Sequence, residues 1–328
     1  MYLGLCNACG SYLNKLFFIK EMMQGTKEAF EYGLCNTCGS LQLLKIPGDI
    51  AKYYTQNYYS NQTDLEQYFK PKWKAVLKGW RDAYCLTGKG VAGAMIQKKM
   101  PNKSLEIFNF QDLSVKKSWA IADIGCGTGK WPYIFFNAGF KNIKGYEPYL
   151  NQTIHYNNGL KIIKGDLENL KEHSQDLIMF NHSFEHIPDP KNALMKVFQK
   201  LKANGYCYIR IPTVSSFAWK QYKEHWVQLD APRHVTLFSR KGISILAESC
   251  GFELMSIKDE GTAFQFIGSE QYKKGIPMYG DQRSYFEGNG NLFSSEQIAN
   301  WNEQATDLNK KGDSDSIAVV LKKIKPDF

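Results

Sequence analysis

With 328 residues, 43% of them hydrophobic and 22% charged, the chain has the make-up of a globular protein large enough for one big domain or a few small ones. A net charge of +9 suits nucleic acid, a membrane surface or a phosphorylated small molecule, but no nucleic-acid-binding signature accompanies it. No apolar run reaches the roughly 18–20 residues that span a bilayer, and Met1 to Gly10 lacks a signal-peptide pattern, so the expectation is a soluble cytoplasmic protein without a membrane partner, whose eight cysteines are reduced thiols or metal ligands.

The first segment contains a repeat. Gly4-Leu5-Cys6-Asn7-Ala8-Cys9-Gly10-Ser11 returns as Gly33-Leu34-Cys35-Asn36-Thr37-Cys38-Gly39-Ser40. Two Cys-x-x-Cys pairs at this separation have the spacing of a tetrahedral zinc site. The glycine after each pair can adopt the positive φ of a tight knuckle. Four thiolates from Cys6, Cys9, Cys35 and Cys38 leave no open coordination position, which points to a structural Zn2+ rather than a catalytic one. Iron in a similar four-sulfur site would use the same ligands. Between the pairs, Tyr12 to Ile19 reads as a strand, and Pro47-Gly48 closes the segment.

Residues 48–110 begin with a tyrosine run, Tyr53-Tyr54 and Tyr58-Tyr59, and continue as a lysine-rich stretch that reads as two or three helices. From Trp119 strand and helix patterns alternate. Strands are expected at Ala120–Ile124, Ile143–Tyr146, Leu160–Ile163, Asp176–Phe180, Tyr206–Ile211, Phe252–Ile257 and Ile317–Leu321. Helices are expected at Lys130–Ala138, Leu150–Asn157, Pro190–Leu201 and Ser239–Cys250, the last capped by Gly251. Such alternation implies an α/β fold, Rossmann-like and doubly wound, with a mostly parallel seven-stranded sheet. Residues 213–238 and 259–315 interrupt the alternation and read as insertions near the substrate side. The expected organisation is a zinc-binding module at 1–47, a helical linker or cap at 48–110, and a catalytic domain at 111–328.

Asp123-Ile124-Gly125-Cys126-Gly127-Thr128-Gly129 follows a strand and opens a helix. A lone glycine loop is a weak signal, and this one lacks the third glycine of the dinucleotide fingerprint, having Lys130 there. Three further residues strengthen it. Glu147 ends the second strand, where an acid can grip ribose hydroxyls; Asp166 follows the third, and Asn181 the fourth.

Together these segments resemble a class I S-adenosylmethionine-dependent methyltransferase. Asp123–Gly129 resembles the first motif of that family, Gly145-Tyr146-Glu147-Pro148 the second and Gly165-Asp166-Leu167 the third; the stretch from Phe180 to Pro190 resembles the motif after the fourth strand. The resemblance implies S-adenosylmethionine as cofactor, with Asp123, Gly125, Cys126, Gly127 and Gly129 around its methionine half, Glu147 at the ribose, Asp166 and Leu167 at the adenine, and Asn181 beside them. The segment from Trp226 through Ser239, the four-cysteine module and the tyrosine run resemble a subgroup found with sugar and natural-product biosynthesis. This implies a small-molecule acceptor such as a sugar or sugar-nucleotide hydroxyl.

A hydroxyl nucleophile needs a proton acceptor, and His186 and His234 are the candidates, with His182 a weaker third. Asp230 and Arg233 are candidate substrate residues, Arg233 through a fork suited to phosphate or carboxylate. Two other readings remain. A nucleic-acid methyltransferase could use the zinc module and lysines for binding, although the Asn/Asp-Pro-Pro-aromatic signature is replaced by Asn181-His182-Ser183-Phe184. A non-catalytic S-adenosylmethionine-binding scaffold would not need the loop and acids to be intact.

Overall fold

The computed structural model describes residues 3–54, 65–108, 110, 113–288 and 290–324. Tyr58 and Tyr59 of the tyrosine run lie outside the described residues. The strands are β1 Lys15–Lys20, β2 Ala29–Leu34, β3 Leu41–Leu43, β4 Ile121–Ile124, β5 Ile143–Tyr146, β6 Ile154–His155, β7 Lys161–Ile163, β8 Gln175–Asn181, β9 Leu201–Pro212, β10 Thr236–Leu237, β11 Phe252–Asp259 and β12 Ser316–Lys323. The α-helices are α1 Leu65–Tyr68, α2 Lys72–Thr87, α3 Val91–Lys99, α4 Lys103–Glu106, α5 Lys130–Asn137, α6 Pro190–Lys200, α7 Phe217–Tyr222, α8 Arg240–Ser249, α9 Phe264–Lys273 and α10 Ser295–Lys311. Among the described residues no helix is long and apolar enough to cross a membrane.

The main sheet has eight strands in the order β11-β12-β9-β8-β4-β5-β7-β6, one more than the seven expected. The extra strand, β6, lies where a helix is expected over Leu150–Asn157. It pairs antiparallel with β7, Ile154 opposite Ile162. The turn explains the difference: Tyr156 N–H donates to Leu160 O, Gly159 N–H to Tyr156 O, and Asn158 Oδ1 accepts from Leu160 N–H. Asn157-Asn158-Gly159 is strong hairpin chemistry, and it overrides the apolar pair Leu150 and Ile154 at helical spacing. β9 also starts earlier than expected, at Leu201, and runs through Asn204-Gly205 without stopping there.

The chain divides into two compact units. The first comprises Met1–Thr55, Phe184–Leu194 and Arg210–Val319. It contains a four-stranded sheet, β1-β2-β3-β10, in which Gln42 of β3 faces Thr236 of β10. The segments 213–238 and 259–315 contribute to its core. Trp219, Trp226, Val227, Leu229 and Leu237 share one core with Ile19, Tyr32 and Leu41 from the N-terminal strands and Phe266 and Leu308 further on. Each segment is too short to bury its own apolar side chains. Burying each such large side chain contributes roughly 1.5–3 kcal/mol, so the segments are stable by sharing a core.

The second unit comprises Gln56–Ser183, Met195–Ile209 and Val320–Phe328. In it β4 runs parallel to β5 and to β8, and β5 runs parallel to β7. Chain direction across the sheet reverses around β4, whose two neighbours belong to the two halves of the winding. This is the switch point where open α/β sheets bind ligands, at the carboxyl ends of the strands. Helices α2 and α3 pack so closely that a Cβ on Gly93 would lie 2.3 Å from Trp80 O.

Candidate functional site

Three groups of side chains carry chemistry. The first lies at the carboxyl ends of β4, β5, β7 and β8. β4 is buried along its length and feeds the loop from Gly125 to Gly129, which opens α5. Gly129 takes φ +88, and a Cβ there would lie 2.2 Å from Ile162 Cδ1. Only glycine satisfies both demands at this position. Gly125 N–H donates to Tyr146 O at 2.8 Å, tying the loop to the end of β5. Glu147 tightens the same tie: Oε2 accepts from Gly127 N–H at 2.9 Å and Oε1 from Tyr149 N–H at 3.1 Å. A carboxylate has about four lone-pair sites, so two bonds leave Glu147 capacity for ligand hydroxyls.

Asp123 is fully buried, and its Oδ1 accepts from Asn181 Nδ2 at 2.8 Å, joining β4 to β8. Asn181 Oδ1 is a buried acceptor without a hydrogen-bond partner among the described residues. Ser183 Oγ donates to Ile124 O at 2.6 Å. Cys126 sits in the loop, with its thiol pKa pushed up by burial and then by the charges of Asp123 and Glu147. Asp166 is exposed and caps the turn Leu167–Asn169, its Oδ1 accepting from Glu168 N–H at 2.9 Å, while Leu167 is buried. The structure therefore collects Asp123, Gly125, Cys126, Gly127, Gly129, Glu147, Asp166, Leu167 and Asn181 along one edge of the parallel strands.

The second group is the four cysteines. Sulfur atoms of Cys6, Cys9, Cys35 and Cys38 all lie within 4.8 Å of one another, and the pairs Cys6–Cys38 and Cys9–Cys35 are each 3.6 Å apart. Four sulfurs about 2.3 Å from a tetrahedral ion stand about 3.8 Å apart, so this spacing suits a metal. The sequence repeat is a structural repeat. Cys6 N–H donates to Ser11 O and Gly10 N–H to Cys6 O; likewise Cys35 N–H donates to Ser40 O and Gly39 N–H to Cys35 O. The hydrogen bond between the Cys6 and Cys38 thiols holds the Cys38 pKa below its ordinary value and raises that of Cys6. The knuckles are fastened within their unit. Gln42 accepts from Asn7 N–H at 2.7 Å, Ser239 Oγ donates to Cys38 O, and Lys241 Nζ donates to Thr37 O at 2.8 Å.

The third group joins the turn Phe184–His186 to the segment 230–235. Val235 N–H donates to Glu185 O at 2.8 Å. His186 Nδ1 lies 2.8 Å from Arg233 O, and His234 Nδ1 lies 2.7 Å from Gln228 O. A carbonyl only accepts, so both Nδ1 atoms carry a proton, and in the neutral ring the lone pair is on Nε2. His234 Nε2 stands 3.6 Å from Asp230 Oδ2 and 3.8 Å from Glu185 Oε1. The two imidazole rings are 4.8 Å apart. Burial pushes the His234 pKa down to about 4, against the opposing pull of Asp230, so the ring is neutral at pH 7. Tyr54 Oη lies 3.3 Å from His186 Nδ1.

Arg233 has a different setting from the one its residue type suggests. Only 1% of it is exposed; its guanidinium donates to Asp230 Oδ1 and, through Nη1, to Tyr53 O at 2.9 Å. Asp230 is 9% exposed. The two candidate substrate residues thus bind each other, and they shape the wall on which His234 sits. Glu185, fully buried between the histidines in this cluster, received no role from the sequence. The Glu185-His186 dipeptide, an acid directly before a histidine in the loop after β8, was the available signal.

Residues 105–257 match the family described as a methyltransferase domain. The match covers 153 of the 328 residues, a little under half of the chain. The glycine loop follows β4 in the strand order β7-β5-β4-β8, inside the matched residues. The matched residues contain the glycine loop, Glu147, Asp166 and Asn181 as well as Glu185, His186, Arg233 and His234, while the four cysteines precede them. A malonyl-acyl-carrier-protein O-methyltransferase from Calditerrivibrio nitroreducens is 29% identical over 123 residues, covering 34% of this chain and 45% of that protein. The match therefore spans less than half of the curated relative's length. Among solved structures, a SAM-dependent methyltransferase from Archaeoglobus fulgidus has 19% identity and a TM-score of 0.40, covering 71% of this chain and 100% of that one. An S-adenosylmethionine-dependent methyltransferase from Mesorhizobium loti has 14% identity and a TM-score of 0.41, covering 66% of this chain and 96% of that one.

Proposed function

We propose that the protein transfers a methyl group from S-adenosylmethionine to an oxygen atom of a small molecule. The observation that carries this reading is the glycine loop of a methyltransferase domain held by Glu147 through the Gly127 N–H, at the switch point of a parallel sheet. The residues at this edge fit the cofactor. Glu147 retains lone pairs for ribose hydroxyls, and the buried Asn181 Oδ1 offers an acceptor to a donor group of the ligand. Gly125, Gly127 and Gly129 keep side chains away from the methionine half, and Asp166 with Leu167 would border the adenine. When bound, the cofactor supplies an electrophilic methyl group on a sulfonium.

The chain's own contribution is to hold the acceptor in line, exclude water and take up the proton from its hydroxyl. Positioning alone is worth on the order of 7–11 kcal/mol in favourable systems. Activation of the hydroxyl falls to the His186 and His234 pair, whose Nε2 lone pairs are kept available by the Nδ1–H bonds to backbone carbonyls. The matched relative is named an O-methyltransferase, which supports oxygen as the accepting atom. A sugar or sugar nucleotide is the acceptor class favoured by the sequence resemblance, and the net charge of +9 suits a phosphorylated one. The segment 1–47 serves in this reading as a structural zinc-binding module, since four sulfurs complete a tetrahedral sphere without an open position.

Calorimetry with S-adenosylmethionine tests the cofactor, and a methyl-transfer screen across free sugars, sugar nucleotides and a malonyl thioester tests the acceptor. Micromolar cofactor binding with transfer to a sugar hydroxyl is the expected result. A folded, metal-loaded protein that does not bind S-adenosylmethionine would overturn the reading.

A further inference from the structure

We propose that Glu185, His186 and His234 form a second metal site, one that takes a divalent transition-metal ion through one carboxylate and two imidazoles. One ligand atom from each of the three lies within 4.8 Å of the others, and His234 Nε2 stands 3.8 Å from Glu185 Oε1. Ligands at about 2.0–2.2 Å from an ion are separated by roughly 3–4.2 Å, depending on geometry. The three groups thus need side-chain shifts of no more than about 1 Å to close on an ion.

The orientation of the rings is the stronger argument. A histidine that binds metal donates its other ring N–H to a carbonyl, carboxylate or water, which fixes both tautomer and aim. Both histidines do this: His186 Nδ1–H to Arg233 O at 2.8 Å, and His234 Nδ1–H to Gln228 O at 2.7 Å. Two separate backbone carbonyls therefore hold two Nε2 lone pairs ready. The third ligand is anchored as well, because Glu185 O accepts from Val235 N–H on the strand-like segment that carries His234. Asp230 lies beside the cluster, its Oδ2 3.6 Å from His234 Nε2, and is held by Arg233.

The Glu185 carboxyl is fully buried, and a cation bound through it would give its charged form the partner that a buried charge requires. Three protein ligands also leave a coordination position open, the feature that separates catalytic from structural zinc sites and distinguishes this cluster from the four cysteines. Its role rests on the methyl-transfer reading; the binding itself does not. With both Nε2 lone pairs on the ion, activation of the acceptor hydroxyl would pass from the imidazoles to the ion, which would take the hydroxyl at the open position and lower its pKa, as metals do for bound water. The hydroxyl proton would leave to solvent. The oxygen–methyl bond would form as the sulfur–methyl bond breaks, with the electron pair staying on sulfur.

The test is Co2+ binding to the metal-stripped full-length chain, followed by absorption. Cobalt at the cysteines shows intense thiolate charge-transfer bands, whereas cobalt at the proposed site adds weaker bands without them. The expected result is a second class of bound Co2+ in the wild type. His186→Ala and His234→Gln should weaken this class by more than the 10–100-fold that loss of an outer-shell partner costs, leaving the thiolate bands unchanged. Glu185→Gln should do the same, but Glu185 is fully buried, so the partly exposed His186 supplies the variant least liable to misfold. Circular dichroism confirms the fold of each. Binding confined to the thiolate bands, or a second class indifferent to folded His186→Ala and His234→Gln proteins, overturns the site. S-adenosylmethionine calorimetry on the same samples separates this outcome from failure of the methyl-transfer reading.

Discussion

Glu147 at the end of β5 accepts a 2.9 Å hydrogen bond from the backbone N–H of Gly127, in the loop that follows β4. One carboxylate thus sets the shape of the loop and keeps lone pairs for a ligand. Glu147→Ala removes both functions. S-adenosylmethionine affinity should fall by about 1–3 kcal/mol, the cost of leaving polar partners stranded. Calorimetry on wild type and variant checks this, and equal affinity would remove Glu147 from the site.

Gly129→Ala should be more damaging to the fold than its size suggests. The residue sits at φ +88, and its new Cβ would meet Ile162 Cδ1 at 2.2 Å. Left-handed backbone costs a non-glycine residue roughly 1–2 kcal/mol, and overpacking roughly 1–3 kcal/mol more. Thermal melting should therefore shift down by several degrees, and cofactor binding should weaken. A variant with wild-type melting would show that β7 and the loop can move apart freely.

Glu147 and Gly129 are legible in the sequence because their chemistry is local. A glycine loop after a strand, and an acid at the end of the next strand, can be read from spacing. The Cys-x-x-Cys repeat is local in the same sense, and its two knuckles fold alike. Chemistry made by distant segments is not legible in this way. Ser40 and Ser239 are 199 positions apart and hydrogen-bonded, and β3 pairs with the two-residue strand β10. Strands so short carry no periodicity, so residues 213–238 read as an insertion although Trp226, Leu229 and Leu237 are core. The Nδ1–H bonds of His186 and His234 are hidden for the same reason: a backbone carbonyl as partner leaves no trace in residue type. Leu150–Asn157 misleads differently, since two apolar residues at helical spacing mask the stronger signal of an Asn-Asn-Gly turn.

The fastening of the four-cysteine cluster can be tested at Ser239. Its hydroxyl donates to Cys38 O, and it also caps α8 by accepting from Gly242 N–H at 2.8 Å. Ser239→Ala should cost about 1 kcal/mol through the lost cap. It should also loosen metal held by the cysteines by roughly 10–100-fold, as removal of outer-shell partners does. Cys38→Ser, which removes one of the four proposed ligands, should abolish stoichiometric zinc in elemental analysis. If zinc content and melting survive both changes, the cluster is not a metal site.

Arg233 offers the sharpest choice between two roles for one residue. If it grips a substrate phosphate, Arg233→Ala should raise KM while the fold stays intact. The structure favours the other outcome. The Arg233 and Asp230 side chains are 1% and 6% exposed, and the guanidinium also holds Tyr53 O. Removing one partner strands a buried charge, and such losses cost about 3–5 kcal/mol. Arg233→Ala should therefore lower the melting temperature strongly and disturb the His234 wall, reducing kcat in whatever protein remains folded. Arg233→Lys restores charge without the planar fork, so it should recover part of the stability only. An Arg233→Ala protein with wild-type melting and a raised KM for phosphorylated acceptors alone would return Arg233 to the substrate.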